Sequence, residues 1–185
     1  MTESWDVYAA GWDDNEDVIA YSKKAFKSLS EVVELAGLRI FDFGCGTGLL
    51  TEQMAKYAER IVALDPSSKM VAVLKSKKLR NVDAISEEVT KETLQRRPDF
   101  VSDFDLVVAS SVCAFLPDYQ LTLGLLKSLL KPNGLIVQWD WLKSGEDQEF
   151  GFTLGQVTAA ILPPMLVSGI IRPLQIELSA YLVDC

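Results

Sequence analysis

The sequence predicts an α/β protein with a Rossmann-like, mainly parallel central sheet and helices on both faces. Short apolar segments rich in strand formers alternate with segments of helical periodicity. A glycine-rich turn, from Asp42 to Gly48, joins the first strand to a helix. An acidic residue, Asp65, ends the second strand at a distance of 21 positions from Gly44. This order of elements is typical of a doubly wound sheet with a nucleotide site at the carboxyl ends of its strands.

Each strand prediction rests on a short apolar segment bounded by polar or turn residues, and each helix prediction rests on 3.6-residue spacing. Strands are predicted over residues 38–43, 60–64, 82–85, 104–110, 135–141 and 169–178. Helices are predicted over residues 18–35, 49–60, 67–78, 121–130 and 151–161, with a helix and then a loop over 91–98. Residues 131–134 predict a turn. Residues 181–185 are too short for a seventh strand, so we expect the sheet to be truncated or finished differently at its C-terminal edge.

The composition predicts one globular domain over residues 1–185, with 49% hydrophobic and 24% charged residues. A net charge of −8 argues against nucleic acid and anionic membranes as partners. No apolar segment is long enough to span a bilayer. Three widely spaced cysteines and no recognisable signal peptide predict a cytoplasmic chain without a disulfide framework or a zinc site. The chain has no histidine, which removes the commonest general base and metal ligand.

The spacing of the glycines distinguishes between ligands. A dinucleotide fingerprint places glycines at offsets of zero, two and five. Here Gly44, Gly46 and Gly48 lie at offsets of zero, two and four, and Leu49 occupies offset five. A phosphate loop would continue with Lys and Ser or Thr, but Leu50 follows instead. A tight turn without any ligand remains the structural alternative.

The run from Asp42 to Gly48 resembles the first motif of the class I S-adenosylmethionine-dependent methyltransferases. Two other runs strengthen the resemblance, Ala-Leu-Asp-Pro-Ser-Ser-Lys-Met at 63–70 and Leu-Leu-Lys-Pro-Asn-Gly-Leu-Ile-Val at 129–137. The resemblance covers most of the chain, from about residue 5 to residue 178. It implies an enzyme that transfers the methyl group of S-adenosylmethionine to a small-molecule acceptor by in-line displacement.

The resemblance also implies a set of cofactor-binding residues. They are Tyr8, Tyr21, Asp42, Gly44, Cys45, Gly46, Thr47, Gly48, Asp65, Pro66, Met70, Glu87, Glu88 and Ser110. Asp65 would accept hydrogen bonds from the ribose hydroxyls, as its spacing also suggests, or would cap the helix over 67–78. Met70 would pack near the adenine, and either Glu87 or Glu88 would accept from its amino group, although a solvated helix start explains both glutamates as well.

Residues 1–30 resemble the N-terminal helical lid that many members place over the cofactor. A tyrosine of this segment would lie near the methionine part of the cofactor, or else its aromatic residues only staple the helix to the core. Ser110 ends the fourth strand, where residues face the reactive methyl. No catalytic residue is evident, and Tyr8, Tyr21, Asp118 and Asp140 are equal candidates for acid–base help. Cys113 is predicted to be buried rather than nucleophilic.

Other functions stay open at this point. The chain has neither an Asn-Pro-Pro-Tyr run nor a Pro-Cys pair after the fourth strand, which argues against methylation of nucleic-acid bases. A non-catalytic S-adenosylmethionine-binding module would keep the same glycine turn. A protein methyltransferase and a nicotinamide-dependent oxidoreductase are further alternatives. The sequence does not identify the acceptor, its methylated atom or the oligomeric state.

Overall fold

A computed structural model describes residues 5–143, 151–153 and 155–156. The strands are β1 (Arg39–Phe43), β2 (Arg60–Leu64), β3 (Val82–Ile85), β4 (Phe104–Ser110) and β5 (Leu130–Trp139). The helices are α1 (Glu16–Ser30), α2 (Leu49–Met54), α3 (Ser68–Ser76), α4 (Lys91–Arg96) and α5 (Tyr119–Leu129). Short 3₁₀ turns lie at Trp12–Asp14, Pro98–Phe100 and Cys113–Phe115.

The five strands form one parallel sheet in the order β3-β2-β1-β4-β5. Helices α1, α2 and α3 contribute Leu29, Met54 and Leu74 to the apolar cluster on one face. Helices α4 and α5 contribute Leu94 and Leu126 to the cluster on the other face. The predicted fold class is therefore confirmed: the sheet is parallel and has helices on both faces. These helices bury both faces of the strands, which explains why the strand sequences are apolar throughout.

Helix boundaries differ from the sequence prediction in ways that local contacts explain. Helix α1 begins at Glu16 because the Asn15 side chain accepts from the N–H groups of Asp17 and Val18. Helix α2 ends at Met54, six residues before the predicted end. In the predicted helix over 151–161, Phe152 forms an isolated bridge to Leu142, so residues 151–153 are not helical. Residues 155 and 156 are helical. The predicted segments 169–178 and 181–185 lie outside the described residues.

The predicted turn over 131–134 is wrong as a separate element, because these residues belong to β5. Phe104 pairs with Leu130, and Leu106 pairs with Leu135. Between these pairs β5 has the four residues 131–134, whereas β4 has only Asp105, so β5 bulges here. Asn133 has a φ of 67° in this irregularity. The turn chemistry of the sequence is expressed as a bulge within the strand rather than as a connection before it.

No helix among the described residues is long and apolar enough to cross a membrane.

Candidate functional site

The carboxyl ends of β1, β2 and β4 meet at one edge of the sheet, because all strands are parallel. The chain runs outward from β1 through β2 to β3, and then crosses to β4 and β5 on the other side. The strand order therefore reverses between β1 and β4. In open α/β sheets, ligands bind at such a reversal, outside the carboxyl ends of the strands. The glycine loop, Gly44–Gly48, leaves β1 at this point.

The three glycines of the loop all have positive φ, at 70°, 54° and 83° for Gly44, Gly46 and Gly48. A Cβ on Gly44 would collide with the Val112 side chain, and one on Gly48 would collide with Leu74. Packing therefore explains these two glycines. A Cβ on Gly46 would meet nothing within 4 Å. Gly46 faces open space, where the absence of a side chain leaves room for a ligand to approach the backbone.

Asp65 lies directly beside Gly46. Its carboxylate accepts from the Gly46 N–H at 2.9 Å and from the Ser67 N–H at 2.8 Å, and the residue is only 9% exposed. Burial raises its pKa, against the effect of these two hydrogen bonds. The cap of α3 is Ser67, whose hydroxyl accepts from the Met70 N–H, so the alternative role of Asp65 as this cap is wrong. Asp65 instead ties the glycine loop to the loop after β2.

Asp42 lies beneath the loop. It is 2% exposed, and its carboxylate accepts from the Thr51 hydroxyl of α2 at 2.6 Å. Burial raises the pKa of Asp42 to about 7, and the nearby charge of Asp65 adds to the shift. Asp42 thus connects β1 to the helix that follows the loop.

The N-terminal segment, defined as Trp5–Asn15, is bonded to the loops of this edge. The Thr47 hydroxyl donates to Asp13, and the Ser67 hydroxyl donates to Asp6. Asp6 also accepts from the Lys69 N–H at 3.3 Å. The segment therefore reaches both the glycine loop and the loop after β2.

Tyr21 of α1 lies over the end of β4. Its hydroxyl accepts from Ser111 at 2.8 Å and from Ser110 at 3.4 Å, and burial raises its pKa. The Tyr21 ring stacks on Trp141 at 6.4 Å with an interplanar angle of 12°. Ser111 adopts a left-handed φ of 54°, which is uncommon for serine and concentrates at functional sites.

The other predicted site residues take different positions. Met70 is buried in the first turn of α3, Pro66 is half-buried before it, and Tyr8 packs against Trp5 and Trp12. Burial raises the pKa of the Cys45 thiol, which makes it a poor nucleophile.

The two glutamates after β3 differ in their contacts. Glu87 pairs with Arg96 and Arg97 of the α4 region, at 3.5 Å in each case. Glu88 is exposed. The structure therefore directs Glu87 toward α4.

Sequence reasoning did not place Asp6 and Asp13 at this site. The two aspartates stand in an acidic segment that a solvated surface explains equally well. No local pattern distinguishes an acid that bonds a distant hydroxyl from one that faces water.

The described residues outside the carboxyl edge offer no competing centre. The described residues contain no group of three or more side chains arranged to hold a metal ion. A cavity of about 490 Å³ lies along β3, away from the glycine loop, and its charged lining includes Arg60 and Asp83, which pair with each other. We therefore place the candidate site at the carboxyl edge, on the evidence of Gly46 and Asp65.

Comparisons with known proteins show the family to which this chain belongs. A family model described as a methyltransferase domain matches residues 41–136, just over half of the chain. An uncharacterized methyltransferase of Schizosaccharomyces pombe is 30% identical over 140 residues, which are 72% of this chain and 49% of that protein. A ubiquinone biosynthesis O-methyltransferase of Bradyrhizobium diazoefficiens is 35% identical over 104 residues, which are 56% of this chain and 40% of that protein. This chain thus spans about half the length of the curated relatives it matches.

A solved structure shares the fold. The S-adenosylmethionine-dependent methyltransferase of Aquifex aeolicus superposes with a TM-score of 0.66 at 21% identity, over 80% of this chain and 81% of that one.

Proposed function

This chain belongs to the methyltransferase-domain family, and from that premise we propose that it binds S-adenosylmethionine and methylates a small-molecule acceptor. The single observation that carries the proposal is Gly46, which faces open space beside the Asp65 carboxylate at the reversal of strand order. A backbone without a side chain next to an inward-facing acid suits a ligand that bears a ribose.

The residues present fit this cofactor. Each Asp65 oxygen accepts one backbone N–H and keeps a lone pair for a ribose hydroxyl. The glycine loop would hold the ribose and methionine part, and Met70 would lie toward the adenine. Either Glu87 or Glu88 would accept from the adenine amino group; Glu87 lies 3.5 Å from Arg96 and Arg97, and its Oε2 is buried without a hydrogen-bond partner among the described residues. Tyr8, Tyr21 and Ser110 would lie toward the methionine part and the methyl group.

When bound, S-adenosylmethionine supplies a methyl group on a positively charged sulfur, which is already a good leaving group. The protein therefore needs mainly to align the acceptor and to exclude water. The N-terminal segment is placed to do this, since Asp6 and Asp13 hold it against the two loops. We therefore propose that, of residues 1–30, the N-terminal segment forms the lid, while α1 packs in the core, within a single domain over 1–185.

Oxygen acceptors are the first class to test, because several relatives are O-methyltransferases. The strongly acidic surface favours a small molecule over nucleic acid. Cys45 and Cys113 are free thiols, which fits a reducing compartment such as the cytoplasm.

The test is calorimetric titration with S-adenosylmethionine, S-adenosylhomocysteine and NAD in parallel. We expect micromolar binding of the first two ligands and none of NAD. If a folded sample binds neither S-adenosylmethionine nor S-adenosylhomocysteine, the proposal is overturned. Binding without methyl transfer to any of a panel of phenols, alcohols and amines would support a non-catalytic binding module instead.

Asp65→Asn provides the matched variant. The substitution removes the charge from the hydrogen bonds to ribose and replaces one of the two oxygens that accept the Gly46 and Ser67 N–H groups, which should weaken cofactor binding by about 1–3 kcal/mol, or roughly fivefold to 150-fold. Asp99→Asn is the control, because Asp99 is exposed at a different edge. Equal affinities of both variants and wild type would remove Asp65 from the site.

A further inference from the structure

The 3₁₀ turn Cys113–Phe115 has no cap of its own. Val112 stands at its N-cap position and makes no side-chain hydrogen bond there. Asp140, which follows β5, supplies the missing acceptors from a neighbouring strand. Its Oδ2 accepts from the Cys113 N–H at 3.1 Å, and its Oδ1 accepts from the Ala114 N–H at 3.3 Å. Two backbone groups that would otherwise lack partners are thus satisfied across the sheet.

A second set of bonds fixes the carboxylate itself. The Gln138 amide donates to Asp140 Oδ2 at 3.1 Å. Tyr119 of α5 in turn donates to the Gln138 carbonyl at 2.8 Å. Both oxygens of Asp140 therefore have assigned donors, and the side chain has little freedom to turn. Such a network holds its members in one arrangement.

The turn that Asp140 holds lies between the glycine loop and the N-terminal segment. Val112 packs so closely on Gly44 that a Cβ there would collide with it. Phe115 contacts Trp5 edge-to-face, with ring centroids 5.2 Å apart. A shift of the turn would be transmitted to both neighbours, because packed side chains do not deform continuously.

We propose that Asp140 is a positioning residue of this site, whose carboxylate holds the turn Val112–Phe115 and through Phe115 sets the N-terminal segment over the acceptor side of the carboxyl edge. The part that concerns the acceptor rests on the proposed function. Asp140 does not touch the glycine-loop contacts of Asp65, so we expect its loss to reach the cofactor only indirectly, through Val112 and the N-terminal segment.

The charge state of Asp140 gives a distinctive signature. Burial raises its pKa to about 6, so acidification below that value protonates the group and removes an acceptor from the turn. The titratable groups that face it are Tyr21 of α1, Cys113 of the turn and Tyr119 of α5. Burial raises the pKa of each of them, and that of Tyr119 to about 12, so all three stay neutral between pH 5 and pH 8.

The experiment is hydrogen exchange of the unliganded chain, read by mass spectrometry at residues 112–115 and 5–14. We expect Asp140→Asn to speed exchange about tenfold in both regions at pH 7.5, because Asn offers only one acceptor oxygen. Faster exchange confined to 112–115 would show a local cap and would overturn the proposal. Asp118→Asn is the control, since Asp118 caps α5 at the Leu121 N–H and Asn caps equally well.

Wild type provides an independent arm if Asp140→Asn does not fold. Exchange at residues 5–14, corrected for the intrinsic effect of pH, should rise about tenfold between pH 7 and pH 5, and it should rise equally in Asp42→Asn, which lacks the carboxyl beneath the glycine loop whose pKa is about 7. A flat profile would overturn the proposal. Neither arm requires a cofactor, so they remain readable if the adenosyl ligands fail to bind. With the adenosyl ligands bound, Asp140→Asn should weaken S-adenosylhomocysteine binding by no more than about fivefold, the effect expected from loosening the N-terminal segment, and should raise the KM for an acceptor. A loss of more than tenfold in S-adenosylhomocysteine affinity would contradict a role for Asp140 in positioning alone.

Discussion

At the scale of single residues, the two aspartates near the glycine loop differ in what surrounds them. Asp65 borders open space beside Gly46, whereas Asp42 is closed in between β1 and α2. A carboxylate with one hydrogen bond and almost no water is poorly stabilised in its charged form. Asp42 therefore carries a cost in stability at neutral pH, which the sequence motif alone does not reveal.

The pH dependence of stability tests this view of Asp42. Its pKa in the folded chain is about 7, above the unfolded value of 3.8, so the folded state binds the proton more tightly. The stability that this provides is complete below pH 3.8 and is lost as pH rises through 7. Asp42→Asn, which can still accept from Thr51, should therefore gain stability relative to wild type by up to about 1.4 kcal/mol per pH unit across this window.

Urea denaturation at pH 5, 6, 7 and 8 measures the difference between the two chains. Asp99→Asn is the control for the loss of one carboxylate, because Asp99 is exposed. Parallel curves for Asp42→Asn and wild type would show that Asp42 is not neutralised by burial.

At the scale of elements, the glycine loop combines two kinds of glycine. Gly44 and Gly48 are required by the packing of Val112 and Leu74, and they hold the loop to β4 and α3. No side chain packs on Gly46. Its positive φ favours glycine, and the open space beside it leaves room for a ligand. Stability and ligand binding should therefore respond to different positions of one motif.

Alanine substitutions separate these requirements. Gly46→Ala should cost only about 1 kcal/mol of stability, from the left-handed backbone, but should weaken S-adenosylhomocysteine binding more than tenfold. Gly44→Ala should cost more stability because it also collides with Val112, and Val112→Ala should recover part of the loss. Urea denaturation and calorimetry on the same samples measure both effects. Unchanged binding by Gly46→Ala would mean that no ligand approaches this backbone.

At the scale of the whole molecule, the N-terminal segment joins parts of the chain that are far apart in sequence. Asp13 pairs with Lys77 at 2.8 Å, and Lys77 also pairs with Glu52 of α2 at 3.2 Å. The Lys77 side chain is 14% exposed, so this pair is screened less than a surface pair. The end of α3, the glycine loop and the N-terminal segment are thereby tied into one unit.

Breaking this pair should loosen the lid. Lys77→Met should increase the dissociation rate of S-adenosylhomocysteine about fivefold, since a partly exposed ion pair contributes roughly 1 kcal/mol. Stopped-flow displacement measures the rate, and 1 M NaCl should speed wild type toward the variant. Lys56→Met is the control, because Lys56 is exposed and leaves the lid contacts intact. An equal rate in Lys77→Met and Lys56→Met would exclude a latching role for Lys77.

The sequence by itself determined the fold class and the sheet edge at which we propose the site. Strands β2, β3 and β4 have the bounds that alternating apolar segments predict, because burial on both faces leaves a strong local signal. The glycine spacing and Asp65 located the carboxyl edge of the sheet, because the residues that form a turn or end a strand lie next to each other in the sequence. Helix ends and the bulge in β5 were less predictable, because caps and register depend on contacts made after folding.

Only the tertiary structure decided which side chains meet across long sequence distances. Asp13 meets Thr47, Asp6 meets Ser67 and Asp140 meets the Cys113 N–H, and each pair joins different loops. An acidic residue has the same local pattern whether it faces water or a distant hydroxyl, so no periodicity distinguishes these aspartates from solvated ones. The site was therefore predictable where its residues lie next to each other in the chain, and unpredictable where the fold brings them together.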